Sequence, residues 1–171
     1  MGCRPSGPAE LPGTPMFKPL PFETLRDREG SVVVGWAGAS VIHARVEGVM
    51  SAELGAQFAA HLQTLVANGN GIHYFADVSA LTSYDLLARS AFVRMALANR
   101  RRFASFTFLA WAAGVSQVAR AFAAAIGDNV ELCLEQSEFD RRLMQVAPLA
   151  RHRIDPPSGQ RSETTDRSAR R

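Results

Sequence analysis

The sequence predicts a single α/β domain on a mostly parallel sheet, and three observations carry that prediction. Apolar stretches of strand length recur along the chain, and from residue 51 onward each is separated from the next by a stretch with helical periodicity. Capping residues and glycine stops fall at the junctions. Strands joined through helices need crossovers, and crossovers within one sheet are right-handed and make their strands parallel. The size agrees: 171 residues with 47% apolar content can bury a real core within one domain.

Taken in order, Ser31–Trp36 and Ser40–Val46 place Val32, Val33 and Val34, then Val41, Ile42 and Val46, around Ala37-Gly38-Ala39, which predicts an N-terminal β-hairpin. Gly48 is read as the end of its second strand. Ser51 can cap a helix in which Leu54, Phe58, Leu62 and Leu65 share a face, and Asn68-Gly69-Asn70-Gly71 stops it. Ile72–Ser79 is a strand, and Asp85 is an N-cap for a helix over Leu86–Arg102, its carboxylate suited to free N–H groups and to the helix dipole. Phe103–Trp111 runs apolar, as a strand covered on both faces does. Ser116 caps a helix with Val118, Phe122 and Ile126 on one side and Gly127 as its stop. Asn129–Leu134 is a last strand, and Ser137 opens a fourth helix with Phe139, Leu143 and Val146 on one side, ended by Pro148. The order is β-β-α-β-α-β-α-β-α, with no internal repeat.

Composition sets the outer limits of the domain. Residues 1–19 form a flexible Pro/Gly-rich lead, 20–147 the folded domain, and 148–171 a disordered Arg/Ser-rich tail. The net charge of +3 sits in that tail: setting aside the six Arg and three acidic residues of 151–171 leaves 13 basic and 13 acidic residues elsewhere. A neutral body argues against a broad nucleic-acid footprint. Cys3 and Cys133 imply no disulfide framework, which places the chain in the reducing cytoplasm. Pro5, Pro8, Pro12 and Pro15 interrupt what a signal peptide would keep apolar, and no apolar run approaches the roughly 20 residues needed to span a bilayer.

The segment Asp77-Val78-Ser79-Ala80-Leu81-Thr82-Ser83-Tyr84-Asp85, together with the element order, resembles the STAS superfamily, and especially its SpoIIAA-like branch often labelled STAS/SEC14. Arg100-Arg101-Arg102-Phe103 before a strand and Glu138-Phe139-Asp140 opening the last helix are similar to that branch as well. The resemblance covers roughly Val32 to Val146. It implies a STAS-like sheet covered by about four helices, and a non-catalytic, cytoplasmic regulatory domain that needs no cofactor. The implied partner is a protein, such as a kinase or anti-sigma-type regulator, or a second copy of the chain. In anti-sigma-factor antagonists of this superfamily the helix opens with Asp-Ser-x-Gly and the Ser is phosphorylated. Asp85 matches that Asp, but Leu86 stands at the Ser and Ala88 at the Gly. A Leu cannot accept phosphate, and added charge is the physical basis of such a switch. Thr82 or Ser83 would have to substitute as the acceptor. Members of the branch are also suspected of holding a small apolar or lipid-like ligand, and that carrier role is the alternative.

Two sets of residues are candidates for contact. Ser79, Thr82, Ser83, Tyr84 and Asp85 form a loop at the carboxyl end of a strand, where open α/β sheets bind ligands; equally, Asp85 can serve as a cap and the hydroxyls can satisfy turn backbone. On the helix Leu86–Arg102, which lacks acidic residues, Arg89, Arg94, Arg100 and Arg101 fall within a ~140° arc at 100° per residue. That basic face is suited to an acidic partner, to weak contact with an anionic surface such as phospholipid headgroups, or to RNA, though a solvated face is the commoner explanation. His43, His61 and His73 have no metal-type spacing and no nucleophile–base pairing is evident, so neither metal nor catalysis is expected. The aromatic residues Trp36, Phe58, Phe92, Phe106, Phe108, Trp111 and Phe122 read as core, with any apolar pocket among them the place for a ligand.

Overall fold

The structure, a computed structural model, describes residues 22–110, 122–127 and 129–147. The lead 1–19, the tail 148–171, and Trp111, Ser116 and Val118 lie outside the described residues. Six strands form one sheet in sequence order: β1 (Glu23–Arg26), β2 (Gly30–Gly38), β3 (Val41–Met50), β4 (Ile72–Tyr84), β5 (Phe103–Leu109) and β6 (Val130–Cys133). β1, β2 and β3 pair antiparallel, and β3 through β6 pair parallel.

That order decides where the helices go. Each parallel strand is added on the same side of the one before, so right-handed crossovers bring every connecting helix to one face. α1 (Ala52–Val66), α2 (Leu86–Ala98) and the helical segment 122–126 all pack there, over Val34, Ile42, Tyr74 and Phe106. The final helix, α3 (Gln136–Val146), follows the last strand and folds back over the opposite face, setting Phe139 and Leu143 against Val41, Phe75, Leu109 and Cys133. Arg142 on α3 ties that helix to Glu131 of β6 and to its own Glu138. Phe122 and Ile126 are buried, and Gly127 ends their segment at φ +116°.

Four expectations need correction. A first strand, β1, precedes the predicted hairpin; its residues Glu23, Thr24 and Arg26 are exposed and only Leu25 packs inward, so no periodic signal marks it. Gly48 does not end β3: at φ +77° it lies within a bulged stretch, and β3 runs on to Met50. β4 accordingly extends to Tyr84, paired to β3 as far as Met50 and Tyr84, so Ser79, Thr82, Ser83 and Tyr84 belong to a strand and not to a loop. α2 stops at Ala98, and Arg100–Arg102 form a separate 3-10 turn. The reason is local: the Asn99 side chain donates to the Met95 carbonyl at 2.8 Å, and the tightened turn lets Arg102 Nη1 reach the Val66 and Gly69 carbonyls at 3.3 and 3.1 Å. A guanidinium is well placed at the negative end of α1. Among the described residues no helix is long and apolar enough to cross a membrane.

Candidate binding site

The site grows out of the mismatch between β4 and β5. β5 pairs with β4 only from Ile72 to Asp77, so Val78 to Tyr84 continue past the sheet with β3 as their paired neighbour. The two strand ends hold each other: Thr82 Oγ1 donates to the Gly48 carbonyl at 2.9 Å, and the Asp85 N–H donates to the Met50 carbonyl at 2.9 Å. Helices start at once on both. Ser51 Oγ accepts from Leu54 N at 3.1 Å to cap α1, and Asp85 Oδ1 accepts from Leu87 N at 2.6 Å to cap α2. Asp27 braces the first cap by accepting from the Ser51 hydroxyl, and that bond, before its backbone N–H bonds, holds the Asp27 carboxyl below the usual carboxylate range.

α1 and α2 then touch closely. A Cβ on Gly55 would lie 2.3 Å from the Cβ of Ala88, so only glycine permits this approach. One turn further the rings of Phe58 and Phe92 stack at 5.8 Å and 3°. Between these helices and the projecting β3 and β4 lies an apolar pocket of about 110 Å³, lined by Val46, Phe58, Ala76, Val78, Phe92 and Phe108 among others, with Tyr84 and the exposed Arg89 also in its lining. Tyr74, wholly buried in its wall, has its phenol pKa pushed up by that burial. Leu86 and Leu87, which precede the pocket-lining Ala88 in the first turn of α2, stand 66% and 67% exposed.

The predicted contact residues therefore divide. Thr82 and Asp85 are occupied with backbone, and Ser79 donates its hydroxyl to Asp77 Oδ1 at 2.6 Å. Ser83 is exposed, and Tyr84 lines the pocket. Arg89, Arg94, Arg100 and Arg101 are all exposed, but the single helical face expected for them does not exist, because the last two sit on the 3-10 turn. Sequence reasoning named Leu86 only as a departure from a motif and left Leu87 unremarked. It took the structure to set them apart: the buried residues of α2 are Ala88, Met95 and Ala96, and at 100° per residue both leucines fall off that face.

On the opposite face, His43 is buried between the rings of Phe22 and Phe139, with centroids at 6.4 and 6.1 Å. Burial lowers its pKa to about 4, while the charges of Asp77 and Asp140 oppose the shift and Arg45 reinforces it. His73 Nδ1 lies 2.9 Å from Ser105 Oγ, and His61 faces Glu23 at 3.2 Å. Cys133 is buried, its thiol pKa raised chiefly by desolvation. No group of three or more His, Cys, Asp or Glu among the described residues could hold a metal ion.

No protein-family model matches the sequence, and no curated protein matches it. Among solved structures it is similar to an uncharacterized protein of the DUF3478 family with a SpoIIAA-like fold from Shewanella loihica PV-4, at 12% identity and a TM-score of 0.51, over 77% of this chain and 99% of that one. The fold is therefore SpoIIAA-like and STAS-like, a mixed α/β sheet covered by helices.

Proposed function

We propose that this SpoIIAA-like domain is a non-catalytic cytoplasmic regulator that works by binding another protein through the start of α2. One observation carries the reading: adjacent leucines, Leu86 and Leu87, stand about two-thirds exposed on a capped helix beside an apolar pocket. A pair of leucines in water gains by being covered, and each adds roughly 1.5–3 kcal/mol when fully buried against a partner. Leu86 occupies the position where the resembling antagonists carry their phosphorylated Ser, so regulation at this surface does not run through that residue. Ser83, exposed three residues earlier, is the hydroxyl best placed to substitute. The test is affinity capture from the native cell with the double variant Leu86→Ser, Leu87→Ser. The expected result is loss of a specific partner with Tm unchanged; retention of every partner by the variant overturns the reading.

A second reading is favoured by the pocket itself. Its apolar walls and its place between sheet and helices suit a domain that holds a small apolar ligand.

A further inference from the structure

The pocket under α2 allows its occupant to be specified by size, by dryness and by charge. About 110 Å³ is somewhat less than the ~150 Å³ apolar cavity that stays dry and takes up benzene. One aromatic ring or a short alkyl chain matches that space; the two acyl chains of a phospholipid do not. Val46, Ala76, Val78, Phe92 and Phe108 offer no hydrogen bonds, and a trapped water needs two to four polar partners, so an apolar body displaces water from these walls without loss.

The charge lies at the rim. Arg89 lines the pocket, lies on a helix that carries no acidic residue, and makes no ion pair with any described residue. The nearest acid in sequence, Asp85, is occupied with the Leu87 N–H. A guanidinium presents parallel N–H donors that match a carboxylate, and such a charge-assisted pair is about twice as strong as a neutral one.

We propose that this pocket takes a small aryl or short alkyl carboxylate, with its apolar body between the sheet and Phe92 and its head on the Arg89 guanidinium. The assignment rests on the ligand-holding reading above, and it is independent of the protein partner assigned to Leu86 and Leu87.

The experiment titrates the full chain with phenylacetate, its neutral isostere phenylacetamide, and the long-chain acid palmitate, by calorimetry and thermal shift. Phenylacetate is expected to bind at least about tenfold more tightly than the amide, the scale of one hydrogen bond between charged groups. Palmitate is expected to gain nothing over phenylacetate. Arg89→Gln, at an exposed position, is expected to erase the preference for the acid, bringing acid and amide to the same affinity. Val78→Phe, which fills the pocket, is expected to abolish binding of both while Tm holds. Equal affinity for acid and amide in the unaltered chain overturns the head-group assignment and spares the pocket. Stronger binding of palmitate overturns the size assignment. No binding of any probe at millimolar concentration, or binding that survives Val78→Phe, overturns the pocket as a ligand site altogether.

Discussion

α1 and α2 start side by side at the carboxyl edge of β3 and β4, each capped by the residue that joins strand to helix. Their anchoring differs. α1 buries seven of its 15 residues, Leu54, Gly55, Phe58, Ala59, Leu62, Leu65 and Val66, and its cap is held from behind by Asp27. α2 buries three of 13, all on one side, and turns Leu86, Leu87 and Leu97 to solvent. Helices with equivalent places in the topology thus differ in build: α1 is embedded in the core, and α2 rests on it with more of its apolar surface exposed. A binding element is drawn from the less anchored parts of a fold, where exposing apolar area sacrifices little core.

The largest expected effect tests whether that division is real. Leu62 is fully buried on α1, so Leu62→Ala is expected to cost about 3 kcal/mol, from lost transfer energy and the cavity left behind. Leu87→Ala is expected to change stability by no more than about 0.5 kcal/mol. Chemical denaturation of the two variants reads the difference directly. A loss in Leu87→Ala approaching that of Leu62→Ala would show that α2 is as structural as α1, and the contrast would disappear.

Acid provides the next effect, through a residue on the opposite face from both helices. His43 is held neutral with a pKa near 4 against an ordinary value of 6.5. Below pH 6.5 the unfolded chain takes up a proton there that the folded chain refuses, so stability falls as pH drops from 6.5 toward 4, by about 2–3 kcal/mol in all. The groups facing this imidazole are the rings of Phe22 and Phe139 and the charges of Asp77, Asp140 and Arg45. Urea midpoints at pH 7 and pH 4.5 measure the slope, and His43→Asn is expected to flatten it. In that background, any acid dependence of binding at α2 can be read without loosening the whole domain. An unchanged slope in the variant would place the acid sensitivity elsewhere.

How much of this was legible follows from what each signal reports. Periodicity gave α1 nearly to the residue, because Leu54, Phe58 and Leu62 face one core and Ser51 caps them locally. The parallel strands were visible for the same reason: Phe106 and Leu109 are covered on opposite faces, so their segment reads as continuously apolar. The far ends of β3 and β4 were not visible. Pairing from Glu47 to Met50 with Ala80 to Tyr84 is a long-range contact whose residues mix polar, small and apolar types without a strand period, and Gly48 looks like a stop until its bulge is seen. The Arg face failed because helical periodicity was carried across Asn99, whose side chain turns back on α2 and ends it. The sequence placed any apolar pocket among the aromatic residues, but residue types report that Phe58 and Phe108 are inside and not that space remains beside them.

The smallest effect compares the two caps themselves. Ser51→Ala removes the acceptor of Leu54 N and the hydroxyl donor to the Asp27 carboxylate, which keeps only the Glu29 and Gly30 N–H groups, and is expected to cost about 1–2 kcal/mol. Asp85→Ala loses a single exposed cap bond to Leu87 N, and is expected to cost about 0.5–1 kcal/mol. Its consequence for binding runs the other way, because the bond it removes fixes the turn that carries Leu86 and Leu87. Capture of the partner is expected to weaken in Asp85→Ala and to survive in Ser51→Ala, even though the latter is the less stable protein. If capture instead tracks stability across the two variants, Asp85 serves only as a cap, and the surface at the start of α2 owes nothing to how its first turn is held.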